Sequence, residues 1–415
     1  MNMLELTAIN LQLFAGNTNV TTDSGMSPEI KTYYSDYLID MADPKLVHTQ
    51  FGQKHSIPKN GGKSIEFRKY SPLPKLTTPI TEGVTPDGQK LNTSIVTATL
   101  AQYGGYVELS DFLIMTSIDN NLVQATKLLG SQMGRTLDTL AREELCGGTN
   151  VQYAGNKTAR YKLVGGESSG NDYMNVDTVK RAVRTLKKMN AETFDGYYVA
   201  IINQDCAFDL TNDPEWKYPH QYKDTVNLYS GEIGAIAGCR FVETSEAKVF
   251  HAENLTAEAR NLTVSAAVTA SASVSVAEKI ESADAAALVG RKIIAGDKIL
   301  TIASATAGSA GSASLTLSAA ATITNGTVLY PGEAGAKGRD VYATIVLGEN
   351  AYGTIGISGD SVEHIIKQLG SAGSADALNQ RATAGWKATT ATKRLVEDYM
   401  VRIESTSTFN DVGVN

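Results

Sequence analysis

Gly166, Ser168 and Gly170 stand at the G-x-S-x-G spacing of a hydrolase nucleophile elbow. That chemistry needs a strand-turn-helix in which the helix begins directly after the serine. Here Ser168 is followed by SGNDYMN, which is too loose to fix a hydroxyl, and the cap of the next helix comes later. Gly62-Lys63-Ser64 ends like a phosphate loop, but Ile57 occupies the position where the first glycine is required. A strand follows it, and not the helix whose amides would hold phosphate. The five histidines, His48, His55, His220, His251 and His364, are scattered, and none has the spacing of metal ligands or of a general base. Each reads as a surface or packing residue. Glu143-Glu144 and Asp209 with Asp213 are carboxylate pairs without a partner motif, and they read as solvated faces. Cys146, Cys206 and Cys239 are odd in number and form no CxxC, so neither a disulfide framework nor a zinc site is indicated and a reducing compartment fits best. No catalytic, cofactor-binding or metal residue is nominated, no cofactor is expected, and the chain is not expected to be an enzyme.

With chemistry set aside, the organising element is a long helix over residues 119–145. Leu122, Leu129, Met133, Leu137 and Leu140 recur at helical spacing and form one apolar stripe, with Lys127, Arg135, Asp138, Arg142 and Glu143 off it. Ser117, Asp119 or Asn120 can cap the start, and Gly147-Gly148 tolerates a left-handed ending. At 1.5 Å per residue the helix spans roughly 40 Å, so its stripe calls for a sheet or loop laid along it. Gly130 and Gly134 leave two small patches on it but read as incidental.

The remaining pattern falls into blocks. Residues 1–60 read as an extended arm with one helical segment near Pro28. SIEFRKY and TSIVTATLAQYGGYVEL alternate with period two around SPLPKLTTPITEGVTPDGQKLN, which suits two long strands and a projecting proline-rich tip. VDTVKRAVRTLKKM reads as an amphipathic helix capped by Asn175 or Asp177, YYVAIIN as a buried strand, and QDCAFDLTND as a short helix ending at Pro214. RFVETS and KVFHA follow as strands, so residues 190 to 250 are mixed α/β. Composition then shifts to Ala, Ser, Thr and Gly, with no aromatic between Phe250 and Tyr330. Five alternating segments, with hairpin-type turns at Gly296-Asp297 and Asn325-Gly326, read as an inserted all-β module over 254–336 and argue against a disordered linker. DVYATIVLGENAYGTIGI resumes the interrupted domain.

At 415 residues, 42% hydrophobic and 20% charged, the chain has the length for two or three domains and a sizeable core. Its net charge of -7 argues against a protein whose main work is gripping nucleic acid with a basic face. No apolar run is long enough to span a membrane, and LELTAINLQLFAG lacks the basic region of a secretory signal.

The order of arm, β-hairpin, long helix, mixed domain with a β insertion and return to strands resembles the Hong Kong 97 fold of tailed-bacteriophage major capsid proteins. The opening NLQLFAG is similar to the start of many phage capsid proteins, and DALNQRATAGWKATTATKRLVEDYMVRIES to the carboxyl-terminal signature of one capsid subfamily. The resemblance implies an α+β fold: an N-arm over 1–60, an extended loop over 61–110 that overlaps a neighbouring subunit, and a peripheral domain over 111–189 with its spine helix over 119–145. It further implies an axial domain over 190–253 and 337–355, the insertion over 254–336, and a peripheral return over 356–415. The function implied is a structural subunit that self-assembles into hexamers and pentamers of an icosahedral head. Its partners would be itself, a separate scaffolding protein, a portal, possible decoration proteins and packaged double-stranded DNA contacted weakly and without sequence specificity, with no membrane. The place implied is the virion, after assembly in the bacterial host cytoplasm. An exported, adhesin-like surface protein is the alternative suggested by the Ala/Ser/Thr-rich module, and it predicts an export signal and a wall anchor. A hydrolase built on Ser168 is the third reading.

Overall fold

The computed structural model describes residues 47–80, 82–83, 85, 87–116, 121–165, 171–220, 232–296, 298–332, 335, 338–358, 362–369, 371, 378 and 380–409. The helix expected near Pro28, the caps at Ser117, Asp119 and Asn120, and the Gly166-Ser168-Gly170 elbow lie outside them. Two units are distinguished, Met1–Ala141 with Gly353–Leu395, and Arg142–Tyr352 with Val396–Asn415.

The first unit is built on a five-stranded sheet. Gln53–Ile57 runs parallel to Tyr352–Ile357, which neighbours Arg381–Arg394; that long strand also pairs antiparallel with Val362–Lys367 and with Ala101–Ser110. The expected long helix is present as Asn121–Cys146. Leu122, Leu129 and Met133 of its stripe are buried with Leu109, Ala384, Trp386 and Ala388 of the sheet, while Leu137 and Leu140 are half-buried. The sheet side of this contact depends on missing side chains. A Cβ on Gly105 would sit 2.8 Å from Gln132 Oε1, the atom that accepts the Trp386 indole N–H at 3.1 Å. A Cβ on Gly385, opposite Tyr106, would meet that residue's Cβ at 2.9 Å. Gly130 and Gly134 are both buried.

Asp138 lies off the apolar stripe, as expected, and is nevertheless not at the surface. It is fully buried and accepts the His48 backbone N–H at 2.7 Å, with His48 Nδ1 at 2.6 Å from its second oxygen. A buried carboxylate needs such partners, because an unpaired charge in the interior is costly.

In the second unit a seven-stranded sheet runs in the order Val151–Tyr153, Met400–Ser405, Val341–Leu347, Tyr198–Ile202, Cys239–Glu243, Glu232–Ile236, with Val249–Phe250 also on Val341–Leu347. Tyr198–Ile202 and Val341–Leu347 are buried at every position, as uninterrupted apolar runs in a sheet centre require. The helix Val176–Lys188 starts where the sequence indicated, with the Asn175 side chain accepting the Thr178 N–H at 2.9 Å. Its Val179, Ala182, Val183 and Leu186 enter the core. Pro214 does not simply end a helix: Gln204–Asn212 stops at Asp213, and Pro214 opens a second helix, Pro214–His220. A proline is suited to a first turn, where its missing N–H has no partner to lose.

Glu404, also fully buried, fastens this sheet to the segment before it. It accepts both Nε and Nη2 of Arg160 at 2.7 Å and Nε of Arg402 at 2.9 Å, and the Arg160 guanidinium lies 3.6 Å over the Phe250 ring.

Within the same unit, residues 262–331 form a six-stranded sheet in the order Leu262–Thr263, Val328–Pro331, Lys292–Ala295, Lys298–Thr306, Ser314–Ile323, Val268–Ser275. A Val264↔Val276 bridge joins the two ends of that order, so the sheet closes on itself as a small barrel filled by side chains. Alternation along Ser314–Ile323 sends Leu315, Leu317, Ala321 and Ile323 inward. Two expectations need correction. The segment is not all β, since Ser282–Leu288 is a helix that buries Ala285 and Leu288. Asn325-Gly326 does not close a hairpin, because Ser314–Ile323 and Val328–Pro331 are not paired; the Gly326 N–H donates instead to the Val264 carbonyl at 2.9 Å. Gly296, with a φ of 60°, does serve a tight hairpin whose strands register Ala295↔Lys298. The chain enters and leaves the barrel through paired strands, Val341↔Phe250, and Asp340 ties this neck by accepting the Ala252 N–H at 2.8 Å.

Two measurements check this account. Glu404→Gln should lower the unfolding free energy of the subunit by about 3–5 kcal/mol, because it strips two guanidinium groups of their counter-charge, whereas Lys279→Ala, at an exposed pair with Glu281, should leave the midpoint of the same urea titration unchanged. Cys146, Cys206 and Cys239 are free and buried, and burial raises Cys146 to about 11 and Cys206 to about 12. At about pH 8 a thiol reagent should label none of them until the chain is unfolded. Because these folded pKa values are raised, the stability they carry is intact below about pH 8.5 and falls as pH rises through 11 and 12.

Candidate assembly surface

Ser64–Tyr70 and Thr93–Thr99 pair antiparallel in full register from Ser64↔Thr99 to Tyr70↔Thr93 and form a sheet of two strands only. The second alternating stretch is thus two strands. Thr93–Thr99 belongs to the hairpin, the chain breaks at Leu100, and Ala101–Ser110 joins the five-stranded sheet. Leu100 is the hinge: its side chain is buried with Ile57, Ala98 and Ile355, and its N–H donates to the Lys63 carbonyl at 2.8 Å.

The root of the hairpin is anchored and its far end is not. Ile65 and Phe67 face inward with Val96 and Ala98, and the Phe67 ring meets His55 edge-on at 4.9 Å. Beyond Phe67↔Val96 no described side chain of the hairpin is buried. Arg68, Tyr70 and Ile95 share one solvent face of the ribbon. Pro72, Pro74 and Pro79 follow in an exposed stretch without ladder partners.

This segment concentrates exposed apolar area. Tyr70, Leu73, Leu76, Ile80, Leu91 and Ile95 are between 50% and 81% exposed. Scattered single apolar residues are ordinary on a surface, but six within one projecting ribbon mark an interaction site. Both edges of a two-stranded sheet also carry unpaired backbone groups that can take another chain.

The residues singled out for chemistry are placed apart from one another. Gly62-Lys63-Ser64 leads into a strand and not a helix. His55 bonds Gln53 at 3.0 Å, His251 lies 3.2 Å from Asp340, and His364 pairs across the sheet with Trp386. His48 belongs to the buried Asp138 contact, and the side chain of His220 is outside the described residues. The carboxylate pairs are not simply solvated faces. Asp209 accepts both the N–H and the hydroxyl of Thr408, and Asp213 takes the amides of Val176 and Glu215. Glu143 is bound by Lys248 and Arg142. Among the described residues no group of three or more His, Cys, Asp or Glu side chains could hold a metal ion. Sequence reasoning found the projecting tip through its prolines. It missed the buried pairs because their members lie between 88 and 244 residues apart.

Residues 94–259 match the family described as "Phage capsid protein". Among solved structures the chain is similar to the capsid of Ralstonia phage GP4, at 11% identity and a TM-score of 0.51, covering 88% of this chain and 87% of that one. It is also similar to the capsid of cyanophage Pam1, at 14% identity and a TM-score of 0.50, covering 97% of this chain and 100% of that one. No curated protein matches the chain. At these identities the likeness concerns the fold.

Replacing Leu73, Leu76, Ile80 and Leu91 together by serine should leave the thermal unfolding of the isolated chain within about 0.5 kcal/mol per site, since none is buried, and should abolish self-association measured by sedimentation velocity.

Proposed function

We propose that this phage capsid protein self-assembles into hexamers and pentamers that tile the icosahedral head of a tailed phage around double-stranded DNA. It is a structural major capsid protein and its place is the virion. The observation that carries the finer reading is the hairpin: a ribbon anchored at its root and apolar along its free length has the form of an element that lies on another copy of the chain. In this reading residues 61–110 are the extended loop, residues 1–60 the arm, and the helix Asn121–Cys146 the spine of a peripheral domain. The seven-stranded sheet forms the axial domain, and the barrel within 254–336 is inserted into it through the paired neck at Phe250 and Val341.

The physics of such a shell does not require strong individual contacts. Once a subunit is held by one neighbour its next contact forms at high effective concentration, so closed symmetry makes modest interfaces mutually reinforcing. The net charge of -7 suits a container for DNA, because an acidic wall holds a polyanion without gripping it. The reading includes scaffolding and portal proteins as partners during assembly in the bacterial cytoplasm, decoration proteins as possible outer partners, and no catalytic step performed by the chain.

The test is negative-stain electron microscopy, after size-exclusion chromatography, of the chain co-expressed with its neighbouring genes. Uniform shells or six- and five-membered rings are expected; a dispersed monomer or dimer under those conditions would overturn the proposal.

A further inference from the structure

The helix Val176–Lys188 carries an unusual density of positive charge for so acidic a chain. Lys180, Arg181, Arg184, Lys187 and Lys188 fall within an arc of about 120° at 100° per residue, opposite the buried Val179, Ala182, Val183 and Leu186. The two halves of this arc are treated differently. In the first half Arg181 is paired with Asp177 at 2.7 Å and Lys180 with Glu215. In the second half Arg184, Lys187 and Lys188 are exposed, and among the described residues none of them makes an ion pair.

A cation near a helix C-terminus is favoured by the helix dipole, but that effect is confined to the last turn and is satisfied by one or two charges. Three exposed cations within roughly 6 Å of helix rise exceed that need. The face also lacks what a protein partner would use. It has no aromatic or aliphatic anchor between Lys180 and Lys188, and lysine is depleted from the cores of protein interfaces. A phosphate backbone, with one charge per about 3.4 Å along each strand, matches closely spaced point cations without any apolar anchor.

We propose that Arg184, Lys187 and Lys188 form a contact for the phosphate backbone of DNA, and that this helix face lines the lumen of the shell. The inference rests on the capsid reading for its location and on the charge pattern for its ligand. Contact is sequence-independent, weak in one subunit and multiplied over the many copies of a shell.

The experiment is fluorescence anisotropy of a short random-sequence duplex with the full-length chain across a salt series. It compares the wild type with the triple variant Arg184→Gln, Lys187→Gln, Lys188→Gln and with a control, Lys292→Gln with Lys298→Gln, on the exposed surface of the barrel. The triple variant should bind at least about tenfold more weakly at low salt, and the slope of log affinity against log salt should fall by about three, while the control binds as wild type does. Thermal unfolding and shell formation by the triple variant should stay unchanged. An unchanged slope, or a wild type that does not bind the duplex, would overturn the inference. So would a triple variant that binds DNA normally but no longer assembles, which would make the face a contact between subunits. If the wild type forms no shells while the slope still falls by about three, the phosphate contact stands and the capsid reading fails; if shells form and the slope is unchanged, the inference fails alone.

Discussion

A ribbon of two antiparallel strands has one sheet face too few to make a core, so an isolated ribbon is at best marginally stable. In this chain the constraint is met at one end only. Ile65, Phe67 and Ala98 pack with Ile57, Leu100 and Ile355, and among the described residues no side chain of the ribbon past Phe67 is buried. A ribbon of this kind gains stability only where further packing is laid against its exposed length.

The rest of the chain is held together by buried carboxylates whose partners come from distant segments. Asp138 takes both the amide and the ring of His48, Glu404 collects Arg160 and Arg402, Asp340 fixes the neck at Ala252, and Asp209 holds Thr408. Each joins segments that the hydrophobic pattern alone leaves free to slide. Apolar burial is non-directional, whereas a desolvated carboxylate tolerates only the geometry that satisfies its lone pairs.

Elements with a single strong period were legible from the residues alone. The long helix ends at Cys146, within a residue of the expected 145, because a stripe of leucines and a Gly-Gly stop both act locally. The Asn175 cap, the buried runs at Tyr198–Ile202 and Val341–Leu347, and the alternation of the barrel strands follow from equally local rules. What failed was non-local. Leu100 is one apolar residue in an alternating run, and only its burial beside Ile57 turns one strand into two. The burial of Asp138 could not be read because nothing nearby announces His48, 90 residues away. The helix Ser282–Leu288 hid in an alanine-rich stretch because alanine suits helix and barrel interior alike. The exposed tip of the hairpin was visible as prolines that forbid a ladder, but its leucines became informative only when the fold left them uncovered.

The neck of the barrel has a consequence for ancestry. Its two ends arrive side by side, Phe250 against Val341, so the distance that a connecting chain must span is that of one pair of neighbouring strands. A coding segment spliced in or out at this seam would leave the host sheet's ladder in place, since Val341–Leu347 keeps its other partners, Tyr198–Ile202 and Met400–Ser405. Gain, loss or exchange of the barrel at this seam would therefore leave the frame of the seven-stranded sheet in place, and the two could drift in sequence at different paces.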